Sequence, residues 1–353
     1  MTSLTAGDIL YKYELKSHLG GGCFGDVWLA HDRSISKDIA VKVLSSNASI
    51  DERLQEARIG NRMEHPNLVK VHYADIIQHQ AENIVIIAMD YLEQGAITNK
   101  VNAMNFLPIP LAIKFIIDIL RGLEYLHEYN LYHSDIKPQN ILVGDQNEGI
   151  LTDYGISCHS PQGCSTPHRG FYKLHAAPEV ISSGEMSVQT DIYQVGLTAF
   201  RLINGLGTIR DKFLKVGEDG FNTLINQGKI VLSHDYHLFV PRNLKTIINK
   251  SINIDPSKRY QSALQFRRSL EHLIYPGYWT CDSSGKLVGN NSTYEFTFHI
   301  IPKNSNLFDL IAYKTNKISG RKTKISMFSQ NNITKLQLDG SLQTYFQWVT
   351  IGT

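Results

Sequence analysis

The chain has 353 residues, 42% of them hydrophobic and 19% charged, which is typical of a globular protein large enough for two or three domains. A net charge of +2 is too small to indicate a nucleic acid or an anionic membrane as a partner. The cysteines are scattered and do not indicate a disulfide framework, which fits a reducing compartment. The first residues lack a signal sequence, and the apolar runs are too short to span a bilayer. We therefore expect a cytoplasmic protein without a membrane segment.

A glycine-rich stretch follows the first predicted strand, residues 11–19. Gly20, Gly22 and Gly25 allow the backbone to bend sharply and to approach phosphate oxygens without a clash from a Cβ atom. The same spacing occurs in dinucleotide-binding folds, where a helix follows the glycines. Here residues 27–30 favour a strand instead, so the pattern predicts a strand–turn–strand flap. Alone, it would equally fit an ordinary hairpin turn.

Lys42 lies in the next predicted strand, residues 38–44, which is otherwise apolar. A lysine in such a place is unfavourable unless its charge is paired. The following segment, residues 51–63, is predicted to be a helix, because Ser49 and Glu52 have the spacing of a capping box. Glu56 lies within this helix, either as the partner of Lys42 or as one of several solvated charges.

A polar loop is the most informative part of the sequence. The predicted helix of residues 110–129 leads into it, with apolar residues three or four positions apart on one face. The loop, within residues 131–143, contains Asp135, Lys137 and Asn140. A carboxylate can accept a proton from a hydroxyl, an ammonium can hold a phosphoryl group, and an amide oxygen can bind Mg²⁺. These are the groups that a phosphoryl-transfer site needs.

The loop resembles the catalytic loop of protein kinases, H-R-D-L-x-x-x-N, with Ser134 in place of the arginine. Other motifs of that family occur in the same order over residues 11–275. They are the glycine-rich loop, Lys42, Thr152-Asp153-Tyr154-Gly155 for D-F-G, Ala177-Pro178-Glu179 for A-P-E, and Asp191-Ile192-Tyr193-Gln194-Val195-Gly196 for D-x-[WY]-x-x-G. Lys137, two positions after Asp135, is typical of the Ser/Thr-specific members.

The resemblance implies an α+β, bilobal kinase-like fold that uses ATP and Mg²⁺. Asp135 and Lys137 would be catalytic, and Asn140 and Asp153 would bind the metal. Asp191 would brace the catalytic loop, and Arg259 would pair with Glu179. The implied ATP site consists of Leu19, Gly20, Gly21, Gly22, Cys23, Phe24, Gly25, Val27, Ala40, Lys42, Glu56, Met89, Asp90, Tyr91 and Leu92.

Two features depart from the family pattern. Ser134 cannot form the charge-assisted pair that the usual arginine makes with an activation-loop phosphate. Phe171-Tyr172 stands where Ser/Thr kinases usually carry a Gly-Thr pair, which puts the usual substrate-docking contacts in doubt. The segment that contains this pair, residues 156–175, is expected to be a mobile activation segment. A zinc site at Cys158, His159, Cys164 and His168 is the weaker alternative, because no C-x₂-C pair is present.

The composition changes after residue 275. Tyr294, Phe296, Phe298 and Ile300 alternate with polar residues, as in a half-buried strand. Further strands are predicted at residues 307–314, 323–328, 333–338 and 342–350, with a tight hairpin at Asp339-Gly340. This predicts a small all-β antiparallel domain of five to seven strands that resembles no family. A lysine-rich turn at residues 314–324 favours a solvated loop over an anion-binding patch.

These patterns divide the chain into an N-terminal extension (1–10), an N-lobe (11–91), a C-lobe (92–275) and an accessory β domain (276–353). They favour a Ser/Thr protein kinase whose partners are protein substrates, with a further partner recruited by the β domain. Neither a membrane nor a nucleic acid is expected as a partner. The alternatives are a pseudokinase scaffold and a kinase-fold phosphotransferase that acts on a non-protein substrate.

Overall fold

The structure is a computed structural model that describes residues 4–22, 25–44, 61–79, 82–153, 158–159, 166–167, 172–282, 284–303 and 306–352. The N-terminal lobe is an antiparallel sheet in the order β1-β2-β3-β4-β6-β5. Its strands are β1 (Ile9–Leu10), β2 (Tyr13–Gly22), β3 (Gly25–Asp32), β4 (Lys37–Leu44), β5 (Val71–His79) and β6 (Glu82–Met89). The helix predicted at residues 51–63, with Glu56, lies outside the described residues except at its C-terminal end.

The second lobe is mainly helical. The predicted long helix is confirmed as α1, and it buries Phe115, Ile119, Leu123 and Leu126 on one face. The helices are α1 (Ile109–Glu128), α2 (Pro178–Ser183), α3 (Val188–Asn204), α4 (Gly207–Asn226), α5 (Arg242–Ser251) and α6 (Ala263–Glu271). Short strands pair as β7 (Leu131–Tyr132) with β10 (Cys158–His159), β8 (Ile141–Val143) with β9 (Gly149–Leu151), and β11 (Thr166–Pro167) with β12 (Glu185–Met186).

The antiparallel β domain predicted after residue 275 is confirmed as a six-stranded sheet. Its strands are β13 (Gly277–Cys281), β14 (Leu287–Asn291), β15 (Tyr294–Pro302), β16 (Leu307–Asn316), β17 (Lys322–Lys324) and β18 (Gln330–Thr334). Across the parts of the chain that the structure describes, we find no helix both long and apolar enough to cross a bilayer.

The end of the chain differs from the prediction. The hairpin predicted at Asp339-Gly340 and the strand at residues 342–350 are wrong, because helix α7 (Lys335–Ile351) occupies this stretch. The helix begins with a capping box in which Thr334 and Gln337 satisfy each other's backbone N–H groups. Leu338, Leu342, Tyr345, Phe346 and Val349 are buried on one face of this helix. The Asp-Gly pair therefore lies inside a helix that packing stabilises.

Helix α7 joins the β domain to the helical lobe. On the sheet side, the buried indole of Trp279 donates a hydrogen bond to the carbonyl of Phe346 at 3.2 Å. On the lobe side, the side-chain Nε2 of Gln347 donates hydrogen bonds to the carbonyls of Leu238 and Val240, at 3.3 Å and 3.2 Å. The sheet is therefore fixed to the lobe through direct contacts.

Candidate active site

Two side chains of α3 hold the backbone of the polar loop through hydrogen bonds. One carboxylate oxygen of Asp191 accepts the N–H of His133 at 3.0 Å, and the other accepts that of Ser134 at 2.8 Å. The predicted bracing role of Asp191 is therefore confirmed. Gln194, one turn further along α3, accepts the N–H of Ile136 and donates to the carbonyl of Ser134, each at 2.9 Å. These bonds hold Ser134 in a left-handed conformation, with φ at 71°.

Asp135, Lys137 and Asn140 meet, as their spacing predicted. Oδ2 of Asp135 accepts hydrogen bonds from Lys137 Nζ at 2.5 Å and from Asn140 Nδ2 at 2.9 Å. Asn140 Nδ2 also donates to the backbone carbonyl of Asp135 at 2.9 Å. Among the described residues, Oδ1 of Asp135 is buried without a hydrogen-bond partner. One oxygen of this carboxylate is therefore fixed, and the other is available to a ligand.

The environment of Asp135 makes its carboxylate more basic. Burial raises the pKa of Asp135 above its ordinary value, although the charges of Lys137 and His133 act in the opposite direction. The Asp135 side chain is 4% exposed, so the loss of hydration outweighs the nearby positive charges. A raised pKa suits a group that must accept a proton.

Lys42 and Asp153 form an ion pair across the cleft between the lobes. Lys42 Nζ lies 2.6 Å from Oδ1 of Asp153, although the two residues are 111 positions apart. Asp153 has φ at 73°, a left-handed conformation that is unusual for a residue with a side chain. Burial alone would raise the pKa of Asp153, but the ammonium of Lys42 reverses the effect and lowers it. Asp153 is therefore ionised; Glu56, the partner expected for Lys42, lies outside the described residues.

The glycine-rich stretch lies on two paired strands, as predicted for the strands of the flap. Strands β2 and β3 pair with Gly20 opposite Val27, Gly21 opposite Asp26 and Gly22 opposite Gly25. Gly25 has φ at 133°, and a Cβ atom there would lie 2.2 Å from the carbonyl oxygen of Val43. Only glycine fits at this position. The tip of the flap, Cys23 and Phe24, lies outside the described residues.

The segment after β6 presents free backbone groups at the edge of the cleft. Met89 is buried between Ala40 on β4 and Val71 on β5, and Tyr91 follows half-buried. The backbone N–H of Asp90 donates a hydrogen bond to the carbonyl of Lys70, and the carbonyl of Leu92 accepts one from the N–H of Gly95. The Asp90 carbonyl and the Leu92 N–H have no backbone partner among the described residues. One acceptor and one donor therefore remain for a planar ligand. Of the other predicted ATP-site residues, Leu19 is exposed, Val27 is half-buried and Ala40 is buried.

The predicted pair of Glu179 and Arg259 is confirmed. Two guanidinium nitrogens of Arg259 lie 2.7 Å and 2.8 Å from the two carboxylate oxygens of Glu179. Arg259 also donates to the carbonyls of Asn253 and Gln189, so this fully buried cation is well satisfied. The bidentate pair ties α2, which follows the activation segment, to the loop before α6.

A second buried cluster lies beside the catalytic loop and was missed by the sequence analysis. Nη1 of Arg201, on α3, lies 2.7 Å from Nε2 of His175. Nδ1 of the same histidine lies 2.8 Å from the carbonyl oxygen of Ile136. Burial lowers the pKa of Arg201, and the nearby hydroxyl of Tyr172 partly offsets this effect. An arginine in the largely apolar second half of α3 was the signal that could have revealed the cluster. The side chains of the weaker zinc alternative, Cys158, His159, Cys164 and His168, fall outside the described part of the chain.

The β-rich lobe, the helical lobe and the site between them form a bilobal architecture. A family model described as "Protein kinase domain" matches residues 13–272. Because the match covers most of the sequence, the chain belongs to the protein kinase family. The β domain beyond residue 275 lies outside this match.

Curated relatives carry kinase names. Protein kinase 3 of Dictyostelium discoideum is 27% identical over 284 residues, which are 74% of this chain and 29% of that protein. Serine/threonine-protein kinase PknJ of Mycobacterium tuberculosis is 26% identical over 295 residues, 78% of this chain and 47% of that protein. Serine/threonine-protein kinase PrkC of Bacillus subtilis is 26% identical, over 71% of this chain and 39% of that protein. This chain therefore spans less than half of the length of each of these relatives.

Proposed function

We propose that the chain is an ATP-dependent Ser/Thr protein kinase with an H-S-D catalytic loop. The observation that carries this proposal is the convergence of two sets of groups on one cleft. Lys42 pairs with Asp153 on one side, and Asp135 contacts Lys137 and Asn140 on the other. A pseudokinase scaffold would not need all five groups to be intact. The Ser/Thr assignment rests on Lys137 two positions after Asp135 and on the names of the relatives.

The residues present suit a bound magnesium nucleotide. Asp153 is ionised, and its Oδ2 takes part in no hydrogen bond among the described residues. Asn140 uses Nδ2 for its two described bonds, which leaves its amide oxygen available. Carboxylate and amide oxygens are the hard ligands that Mg²⁺ prefers. Mg²⁺ would supply neutralisation of phosphate charge, Lys42 would hold the α- and β-phosphates, and the Asp90 carbonyl and Leu92 N–H would bind the adenine edge.

In the proposed reaction, Asp135 accepts the proton of the substrate hydroxyl through Oδ1, its unpartnered oxygen. The hydroxyl oxygen forms a bond to the γ-phosphorus as the bond to the β,γ-bridging oxygen breaks, and ADP leaves with that electron pair. Lys137 lies against Asp135 and offsets the negative charge of the transferring group. Positioning and charge neutralisation, which this site provides, are the main sources of catalysis in such reactions.

The test uses the purified full chain with γ-³²P-labelled ATP and Mg²⁺. The acceptors are two peptide libraries, one with a central Ser or Thr and one with a central Tyr, and a parallel sample contains a cell lysate. The proposal predicts label on Ser or Thr peptides and on lysate proteins. ATP binding without transfer would support the pseudokinase scaffold. Label only on a nucleic acid or a small molecule would support the non-protein substrate, an alternative that the unusual Phe171-Tyr172 motivates.

For the β domain, we propose that it recruits a partner or substrate and supplies no catalytic group. Its contacts through α7 fix it to the lobe near Leu238 and Val240, whereas the site residues all lie before residue 154. A chain that ends after residue 275 should therefore still bind ATP and phosphorylate peptides, but it should lose activity on its lysate target. Equal activity on that target would contradict recruitment and would indicate a stabilising role.

A further inference from the structure

The ammonium of Lys137 lies between two groups. On one side, Nζ is 2.5 Å from Oδ2 of Asp135. On the other, it lies over the ring of Tyr172, 4.9 Å from the ring centroid. A cation within about 6 Å of an aromatic face is attracted by the ring quadrupole. Because a lysine side chain is long and flexible, a second partner restricts where its charge can sit.

The ring of Tyr172 is itself held in place. The ring of His175 lies 5.6 Å away, centroid to centroid, and burial lowers the pKa of Arg201 while the nearby hydroxyl of Tyr172 acts in the opposite direction. His175 is fixed in one tautomer, because Ile136 can only accept and Arg201 can only donate. Its Nδ1 therefore carries the proton and its Nε2 accepts from the guanidinium. Arg201 thus anchors His175 to α3, and the ring of Tyr172 lies against this fixed imidazole.

This anchor is costly for the fold. Arg201 is 2% exposed, and no carboxylate of the described residues lies within salt-bridge distance of it. Its Nε is also buried, and none of the described residues hydrogen-bonds it. A buried cation without a counter-charge disfavours folding. Such a cost is typically tolerated where the geometry serves a functional site.

From this geometry we infer that Tyr172 is a positioning residue that holds the ammonium of Lys137 at the carboxylate of Asp135. It stands where related kinases usually carry the threonine of a Gly-Thr pair, so an aromatic face takes the position of a small hydroxyl side chain. The inference rests on the proposed function, because Lys137 acts on the transferring phosphoryl group. Charge neutralisation by Lys137 is needed most in the transition state, so loss of its position should lower kcat more than it raises KM.

The experiment measures kcat and KM for ATP in the full chain, with the Ser/Thr peptide library as acceptor. Tyr172→Phe keeps the ring and removes the hydroxyl, whereas Tyr172→Leu and Tyr172→Met remove the ring. Each change is also made in the Lys137→Ala background, and the melting temperature is recorded for every variant. The matched control is Tyr313→Leu in the β domain, because the ring of Tyr313 lies 4.4 Å from another lysine, Lys322, far along the chain from the site.

We expect Tyr172→Phe to keep kcat within about threefold of wild type. Tyr172→Leu and Tyr172→Met should lower kcat about tenfold, with KM for ATP within about twofold, the size expected of a desolvated cation–π contact. In the Lys137→Ala background the same two changes should lower kcat no further, because the ring then has no ammonium to hold. Tyr313→Leu should leave kcat unchanged. If the leucine variant does not fold, the methionine variant gives the same test.

Two results overturn the inference alone. In an active wild-type enzyme, one is an unchanged kcat in both Tyr172→Leu and Tyr172→Met. The other is an equal loss with and without Lys137, which would show that the ring acts only on the fold. A wild-type chain that binds ATP but transfers no phosphate overturns the proposed function, and the inference with it.

Discussion

The kinase lobes and the C-terminal β domain bury different kinds of side chain. In the lobes, the buried set includes polar residues around the cleft, among them His133, Asp135, Asn140 and Asp191. Among the described residues after 276, the buried polar side chains are those of Asp309 and Thr350 alone. The rest of that core is apolar or aromatic, centred on Trp279.

This difference indicates what each region is built for. Buried polar groups cost free energy unless hydrogen bonds replace their lost hydration, so a network of them must be complete. Among the described residues, the loop held by Asp191 leaves Oδ1 of Asp135 without a partner, and on α3 Oγ1 of Thr198 and Nε of Arg201 are also buried without one. In the described part of the β domain, Oγ1 of Thr297 is the one buried polar side-chain atom without a partner. Substitutions in the lobes should therefore affect catalysis most, and those in the β domain should affect stability.

The largest expected effect is on catalysis, from Lys42→Met. The methionine fills the place of the lysine stem in a buried strand but removes the charge that pairs with Asp153. We expect kcat/KM to fall at least about a thousandfold, because a preorganised cation that contacts the phosphates is lost. The matched control is Lys37→Met at the exposed start of the same strand, which should change kcat/KM less than about twofold. A similar loss of kcat/KM in both variants would contradict a specific role for Lys42.

In the β domain, a core substitution should lower stability by a free energy comparable to the catalytic loss expected for Lys42→Met. Trp279 is 0% exposed and packs against Phe346, with ring centroids 4.5 Å apart. Trp279→Ala should lower the free energy of unfolding of this domain by about 3–5 kcal/mol, since it removes a large buried ring and leaves a cavity. Urea unfolding followed by circular dichroism measures this, with Ile318→Ala, which is 96% exposed, as the control. A loss below about 1 kcal/mol would contradict an apolar core centred on this residue.

A smaller effect concerns pH. Burial, together with the nearby charge of Arg201, lowers the pKa of His175 well below 6.5. Below about pH 6.5 the unfolded chain therefore binds a proton that the folded chain does not, so the free energy of unfolding falls as the pH drops. This histidine can contribute up to about 1.4 kcal/mol per pH unit.

His175→Asn should remove that contribution. Because burial also lowers the pKa of His65 and His237, the informative quantity is the difference between the pH slopes of wild type and variant. Urea midpoints measured between about pH 5 and pH 8 give both slopes. Identical slopes would show that His175 is not held neutral in the folded chain.

The smallest expected effect is that of dephosphorylation. Ser134 is fully buried, and its hydroxyl bonds the carbonyl of Tyr132, so it offers no cation to a phosphate. Phosphates on Ser157, Ser160, Ser165 or Thr166, whose side chains lie outside the described residues, should therefore not be the main activating signal. Phosphatase treatment should lower kcat less than about threefold, since no charge-assisted pair with residue 134 is lost. A large loss that rephosphorylation at Ser165 or Thr166 restores would contradict this.

The sequence predicted best the features that depend on residues close to one another in the chain. The polar loop, the glycine-rich strands and the long helix α1 follow from motifs with fixed spacing, whereas the pair of Glu179 with Arg259, 80 positions apart, was implied by the family resemblance. The contact of Lys42 with Asp153 joins residues 111 positions apart, and no local pattern reveals it. The cluster of Tyr172, His175 and Arg201 also depends on how separate elements pack.

The helix at the end of the chain was missed for a different reason. The Asp339-Gly340 pair was given more weight than two helix signals, the Thr334 and Gln337 capping box and the helical spacing of the apolar residues from Leu338 to Val349. Turn propensity is a weak local preference, and a helix whose apolar face packs on a sheet overrides it.

We propose that the buried polar groups of the catalytic loop are retained for phosphoryl transfer and not for stability. Asp135→Asn tests it most directly, with the rate of γ-³²P transfer and the free energy of unfolding measured on the same preparation. Because burial disfavours the charged form of Asp135, we predict that transfer falls at least about a hundredfold while stability is unchanged or higher. A variant that transfers phosphate at the wild-type rate but loses stability would contradict the claim.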